Sequence, residues 1–204
     1  MHCPTKRIHF ENLIFDVCDE VYEPAEDTFL FAENLNVKKD EWVLDLGTGC
    51  GILGVLAAKI ADFVLAVDLN PIAVSFAKQN SLLNDLRERM AFLQADLFSA
   101  FSDRTIFDLI LFNAPYLPTE SNERTSWIGR SWAGGVDGRH VVDRFITKVP
   151  PHLKPGGRVL LMQSTLTGVE DTLKKFGENC LMAEVKAEKK LPFFETLTLI
   201  EAKR

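Results

Sequence analysis

Four short apolar runs, 42–46, 63–67, 90–95 and 107–112, each stop at a glycine or a polar residue. Runs of this length read as buried strands, because helices of ordinary length need about ten residues or more. The stretches between and beyond them carry helix signals. Residues 51–60 are apolar nearly all round, the pattern of a buried helix. Asn70-Pro71 opens another, with Asn as N-cap and Pro at the first position. Ala73, Phe76, Ala77 and Leu83 give that helix one apolar face, and Val141, Val142, Phe145, Ile146 and Val149 do the same for a later one. Pro155-Gly156-Gly157 turns into a strand at 158–162, and Thr167-Gly168-Val169-Glu170 reads as a capping box whose helix ends at Gly177. Two alternating runs close the chain as an antiparallel pair, with Ala183, Val185 and Ala187 on one face of the first and Leu197 and Leu199 on one face of the second. Strands alternating with helices, the strands continuously apolar, imply an α/β fold with a parallel sheet covered on both faces.

About forty residues precede the first core strand, too few for a separate domain of typical size. They hold one helix after Pro24, with Glu26 and Asp27 in its first turn, where acidic residues suit the helix dipole. The chain therefore reads as one domain, 1–204, with 1–40 as an extension. Residues 115–138 show no periodicity and are too many for a mere connector.

Composition removes several classes of function. The 204 residues are 47% hydrophobic and 25% charged, with a net charge of −6, as in an ordinary globular protein. No long Lys/Arg run is present, which argues against a phosphate-tracking surface and a nucleic-acid partner. Cys3, Cys18, Cys50 and Cys180 form no C-x-x-C pair and the four histidines are scattered, so reduced thiols, a cytoplasmic location and no metal are expected. The N-terminus has no signal-peptide core, and the longest apolar stretch, 52–67, is broken by Lys59 and Asp62, so no membrane span is expected.

In open α/β sheets ligands bind beyond the carboxyl ends of the strands. Those ends carry Asp45-Leu46-Gly47-Thr48-Gly49-Cys50-Gly51, Asp68, Ala95-Asp96-Leu97 and Asn113-Ala114-Pro115-Tyr116. The glycine loop lacks the last glycine of a dinucleotide fingerprint, since Ile52 stands there, and it has no Walker lysine. Asp45 before the loop is a poor neighbour for a pyrophosphate and a good one for a cation. Asp68 can accept from both hydroxyls of a ribose and Asp96 from an adenine amine, while the Leu97 N–H can donate to a ring nitrogen. S-adenosylmethionine meets these demands together. Asn113, Ala114, Pro115 and Tyr116 can hold a second planar nitrogen group, an amide or a base amine. Taken singly, each feature also fits a turn, a cap or a loop.

The motifs V-L-D-L-G-T-G-C-G-I-L, V-D-L-N-P and N-A-P-Y resemble those of class I S-adenosylmethionine-dependent methyltransferases. With Tyr22-Glu23-Pro24-Ala25-Glu26-Asp27-Thr28 and the run from Trp132 to Arg139, W-A-G-G-V-D-G-R, the chain resembles the short archaeal and eukaryotic HemK-like branch, from about Tyr22 to the C-terminal strands. The resemblance implies a Rossmann-like fold, mostly parallel, with seven strands, an antiparallel C-terminal strand and helices on both faces. It implies methylation of the glutamine of the Gly-Gly-Gln motif in class 1 translation release factors, yielding S-adenosylhomocysteine. It also implies that Thr28, Asp45, Gly47, Asp68, Asp96, Leu97 and Asn113 contact the cofactor, with 1–40 packing on that site. Asn113, Ala114, Pro115 and Tyr116 would serve the reaction, Tyr116 as a wall of the pocket. The family motif is usually N-P-P-Y; Ala114 supplies the same carbonyl but not the fixed φ of proline. Bacterial relatives carry an N-terminal helical domain not seen here, so substrate recognition is expected to come from elsewhere. In the family's sheet order the run from Met90 to Ala95 is an edge without charge or proline, one of Phe92 and Leu93 facing outward. The branch commonly works with a small zinc-ribbon-type activator docked there. Two other readings use the same residues: a nucleic-acid amino-methyltransferase acting on adenine or guanine, and a non-catalytic cofactor-binding subunit.

Overall fold

The computed structural model describes residues 5–102, 106–119 and 126–204; Cys3 and part of the unpatterned stretch lie outside them. A hairpin comes first, β1 (Thr5–Phe10) and β2 (Leu13–Cys18), then helix α1 (Glu26–Glu33). Strands β3 (Trp42–Leu46), β4 (Phe63–Asp68), β5 (Met90–Gln94) and β6 (Phe107–Asn113) follow, with helix α2 (Ile52–Ala58) after β3 and helix α3 (Pro71–Leu83) after β4. The rest is α4 (Trp127–Trp132), α5 (His140–Lys148), β7 (Leu153–Ser164), α6 (Val169–Glu178), β8 (Met182–Lys190) and β9 (Thr196–Lys203).

Seven of these strands form one sheet in the order β5-β4-β3-β6-β7-β9-β8. All neighbours from β5 to β7 are parallel, and β9 runs antiparallel to both β7 and β8. The sheet separates two apolar layers. Val43, Leu109 and Leu111 pack with β2, α1, α2 and α3 on one face; Leu44, Leu46, Ile110 and Phe112 pack with α5 and α6 on the other. The order reverses between β3 and β6, so a crevice opens at their carboxyl ends.

The hairpin is an element that the sequence pattern did not reveal. Its turn has no glycine; Glu11 takes the left-handed conformation at φ 51°. The outer edge of β2 pairs with asparagine side chains instead of a third strand. Asn80 accepts from the Asp16 N–H and donates to the Asp16 carbonyl, both at 2.8 Å. Asn84 does the same for Ile14, at 3.0 and 2.7 Å. This turns Asn80 and Ser81 of α3 inward and leaves Leu83 44% exposed, so Leu83 is not part of the apolar face.

Other local features also depart from the sequence pattern. The capping box does not form. Gly168 is the N-cap of α6 at φ 70°, while the Thr167 hydroxyl donates to the Ser164 carbonyl and accepts from Gln163. Helix α6 runs through Gly177 to Glu178. A bulge between Val185 and Ala187 sends Ala183 and Ala187 to opposite faces of the sheet and leaves Val185 41% exposed. On the edge strand β5, Phe92 packs on one core layer and Leu93 on the other, so neither faces outward.

Arg158 of β7 ties the amino ends of the central strands together. Its guanidinium donates to both Glu41 carboxylate oxygens, at 2.6 and 3.1 Å, and to the Asn36 carbonyl. Both ionic side chains are below one-tenth exposed. Removing one partner strands a buried charge, so Arg158→Met is expected to lower stability by about 3–5 kcal/mol in urea unfolding. The double change Arg158→Met with Glu41→Leu recovers most of that loss, because no unpaired charge remains.

Candidate active site

The crevice is a cavity of about 250 Å³ over the carboxyl ends of β3, β4 and β6 and the residues after β5. Of the residues singled out in the sequence, Thr28, Gly47, Asp68, Asp96, Leu97, Asn113 and Pro115 line it. Asp45, Ala114 and Tyr116 are not on its wall.

The glycine loop shapes the floor. Gly51 sits at φ 90°, and a Cβ there would stand 2.9 Å from the Ala77 backbone of α3, so no other residue fits. The Thr48 N–H bonds the Val67 carbonyl at 3.0 Å, and the Gly49 N–H bonds Asp68 Oδ2 at 2.9 Å. Asp45 lies beneath this loop, 1% exposed. Its Oδ2 accepts from the Thr48 hydroxyl at 2.6 Å and the Gly54 N–H at 3.0 Å. Burial pushes its carboxyl up to about 7 against those two bonds, with a smaller push from Asp68. Asp68 is also raised, chiefly by burial, although N–H groups of Asn70, Gly49 and Leu69 oppose the shift. The Asp68 carboxylate remains on the cavity wall.

Across the cavity, Asp96 accepts from Arg144 of α5 at 2.7 Å. Leu97 takes the left-handed backbone conformation at φ 48°, a strained choice for leucine that sets the direction of the chain at the cavity wall.

The end of β6 carries the polar centre of the site. Asn113 Nδ2 donates to Asp27 Oδ2 at 3.1 Å and to Thr28 Oγ1 at 3.2 Å. Its Oδ1 is buried and has no partner among the described residues. Tyr116 is 8% exposed and its hydroxyl donates to Asp27 Oδ2 at 3.3 Å, so it stands behind Asn113 rather than forming the wall. Asp27 also receives the Tyr22 hydroxyl at 3.1 Å and the Thr28 N–H at 2.6 Å. The sequence presented Asp27 only as a first-turn acid; its place inside the motif Tyr-Glu-Pro-Ala-Glu-Asp-Thr was the available signal.

The residues after Tyr116 are clamped by the glycine-rich segment that follows α4. Leu117 bridges to Ala133, and the Gly134 N–H bonds the Leu117 carbonyl at 2.8 Å. Gly138, at φ 72°, packs so closely that a Cβ would stand 2.3 Å from the Tyr116 carbonyl. Arg139 then anchors this segment to the Thr167 and Gly168 carbonyls at 2.6 and 2.8 Å. These contacts give W-A-G-G-V-D-G-R a structural role in holding the turn after Asn113.

The family model for ribosomal protein L11 methyltransferase (PrmA) matches residues 26–114, the segment that builds the cavity floor and carries Asn113. A Methanocaldococcus jannaschii protein that carries the name of a protein N5-glutamine methyltransferase is 41% identical over 194 residues, covering 94% of this chain and 96% of its own. The chain belongs to the HemK-like protein N5-glutamine methyltransferases. Human methyltransferase HEMK2 is 32% identical over 166 residues, 76% of this chain and 77% of its own. A chain of the E. cuniculi Mtq2-Trm112 complex shares the fold, with a TM-score of 0.72 and 24% identity, over 91% of this chain and 99% of that one. This HemK-like chain therefore has a class I methyltransferase fold.

The buried carboxyl under the loop makes the ligand-free HemK-like protein sensitive to pH. Asp45 keeps its proton in the fold up to about pH 7, whereas the unfolded chain releases it near the ordinary aspartate value of 3.8. The folded state thus binds more protons between those values, and stability falls as pH rises through the window. Melting temperatures measured from pH 5 to pH 8 should decline, and Asp45→Asn should flatten the decline. A wild-type curve of equal slope in the variant would contradict the assignment.

Proposed function

We propose that this protein transfers the methyl group of S-adenosylmethionine to the side-chain amide nitrogen of the glutamine in the Gly-Gly-Gln motif of a class 1 release factor. The carrying observation is the buried Oδ1 of Asn113, which has no partner among the described residues, on a side chain that lines the cavity. A buried acceptor without a partner is costly, on the order of 1–3 kcal/mol, unless a ligand supplies the donor. Family membership supports the reaction class. The E. cuniculi neighbour belongs to a complex described as responsible for methylation of the eRF1 translation termination factor, which supports the substrate. Such a substrate would put the enzyme in the cytoplasm.

The cavity residues fit the cofactor. Asp68, with lone pairs left after its two backbone bonds, would take the ribose hydroxyls. Asp96 would take the adenine amine on the oxygen that does not face Arg144, beside the Leu97 N–H. Gly47 and Thr28 would complete the wall, with Asn113 touching both cofactor and substrate. Asp45, below the loop, would act through the field of its charge rather than by contact. When bound, the cofactor supplies an electrophilic methyl group. Residues 1–40 would belong to the same domain and close the cofactor side, through Val21, Tyr22, Pro24 and Thr28 on the cavity wall.

An amide nitrogen is a weak nucleophile because its lone pair is delocalised. Asn113 Oδ1 and, once the seated substrate reaches past the present cavity wall, the Ala114 carbonyl would accept its two N–H hydrogens and hold it facing the methyl. Both acceptors gain strength as the nitrogen turns pyramidal and positive, so they favour the transition state over the ground state, and one of the two N–H protons would then leave to water to give the neutral N-methyl amide. Pro115 fixes the backbone beside them, and Tyr116 braces the turn from behind. Orientation of this kind is worth about 7–11 kcal/mol in well-aligned reactions. A small activator protein, of zinc-ribbon type, would pair along β5, the terminal strand of the sheet, in line with the two-protein complex of the E. cuniculi neighbour.

Labelled-methyl transfer to a release factor, to its Gln→Ala variant, to tRNA and to DNA tests the assignment. Label is expected on the intact release factor alone; label on either nucleic acid would replace the proposal. Asn113→Ala should lower kcat by about 100-fold or more while cofactor affinity stays within a few-fold. Asp68→Ala should remove measurable cofactor binding in calorimetry without unfolding, since charged hydrogen bonds contribute about 1.5–3 kcal/mol each.

A further inference from the structure

We infer that Asp27 is a positioning residue, an anionic hub that fixes the Asn113 amide with its carbonyl oxygen towards the substrate; this rests on the glutamine-methyltransferase reading above. Asp27 is 5% exposed and lies on α1, 86 residues away from Asn113 in sequence. As a carboxylate it only accepts. Donors surround it: the Tyr22 hydroxyl, the Thr28 N–H and the Thr28 hydroxyl reach Oδ1, while Asn113 Nδ2 and the Tyr116 hydroxyl reach Oδ2.

This set decides which way the Asn113 amide faces. With the Thr28 hydroxyl hydrogen on Asp27, Thr28 Oγ1 is an acceptor towards Asn113. Two acceptors, Asp27 Oδ2 and Thr28 Oγ1, therefore face the inner end of the amide. The reversed amide would set its oxygen against both of them and turn its N–H groups towards an incoming substrate N–H, donor against donor. Asp27 thus excludes the inactive orientation, and its negative charge is what makes the hub work. The burial and the Asp27 charge also raise the phenols of Tyr22 and Tyr116, keeping both as protonated donors. Asp27 touches neither reacting atom in this arrangement; it acts through Asn113.

Asp27→Asn keeps the shape and removes the charge. Three donors meet Oδ1 and two meet Oδ2, so the new amide places its oxygen on the Oδ1 side and its NH2 towards Asn113. Asn113 then turns its oxygen inward and presents N–H groups to the substrate. The expected result is a fall in kcat of about 100-fold, with cofactor affinity and melting temperature close to wild type. Asn113→Asp alone brings two carboxylates together and should be as poor. The double change Asp27→Asn with Asn113→Asp exchanges donor and acceptor, restores an outward oxygen, and should regain at least about 10-fold in kcat over either single variant.

The orientation can also be read without substrate. In protein carrying 15N-labelled asparagine, the Asn113 side-chain NH2, assigned by its loss in Asn113→Ala, should exchange slowly with solvent, and Asp27→Asn should make that exchange fast. Unchanged kcat and unchanged exchange in Asp27→Asn, or a double variant no better than the poorer single one, would overturn the inference. Slow exchange that Asp27→Asn abolishes, in a wild-type protein that methylates no glutamine, would uphold the hub and reject the substrate reading instead.

Discussion

The Asp27 carboxylate joins two parts of the chain that the sheet alone does not hold in register. Helix α1 and the segment before it come from the N-terminal stretch; Asn113 and Tyr116 come from the end of β6. Five hydrogen bonds from four residues converge on one buried group. A buried carboxylate in such a place is tolerable only when its lone pairs are filled, and filling them fixes every donor. The position of α1 on the cavity wall and the direction of Asn113 thus meet at one buried group.

A second buried acid, Asp45, shows how the same chemistry serves a different purpose. Its bonds to the Thr48 hydroxyl and the Gly54 N–H hold both sides of the glycine loop, so the loop keeps its shape around the cavity. Desolvation outweighs those two bonds, as its raised pKa shows. A positively charged ligand over the loop would oppose that shift and favour the carboxylate. Asp68, on the wall itself, faces the same balance with backbone N–H partners. The cavity floor is thus acidic and desolvated, a poor seat for a phosphate and a good one for a cation.

What the sequence made legible follows from how local each signal is. The strand ends 46–51, 68, 96–97 and 113–116 were visible because apolar runs stop there, and the parallel sheet brings most of those residues to one cavity. The Asn70-Pro71 start of α3 was visible because capping is a contact between neighbours, here Asn70 Oδ1 with the Ile72 N–H at 2.9 Å. The hairpin was not, because its edge is paired by Asn80 and Asn84, residues some seventy positions away that read as a polar helix face. Asp27 escaped for the same reason: a first-turn acid has a sufficient local explanation, and its partners at 113 and 116 are brought to it only by the fold. Thr167 misled in the opposite sense, since its hydroxyl was taken by Gln163 and Ser164 before it could cap a helix. Ala114 stands where the resemblance leads one to expect proline. It is 4% exposed and packs in the same core cluster as Phe112.

The two edges of the sheet differ in a way that bears on assembly. On β8 the edge carries Glu184, Lys186, Glu188, Lys189 and Lys190, and a bulge twists it between Val185 and Ala187. Lys186 pairs with Glu201 at 2.9 Å, and Lys189 pairs with Glu26 of α1. Charge and a bulge are the ordinary means by which an exposed strand refuses another. On β5 the sequence is Met-Ala-Phe-Leu-Gln, with no charge, no proline and no bulge in its pairing with β4. Arg87 lies over the Phe92 ring and bonds the Met90 carbonyl at 2.7 Å, which protects only the start of the strand. Helix α3, which packs on β5, ends in Leu82 and Leu83, 56% and 44% exposed. Among the described residues, then, the sheet is charged and bulged along β8 and without charge, proline or bulge along β5.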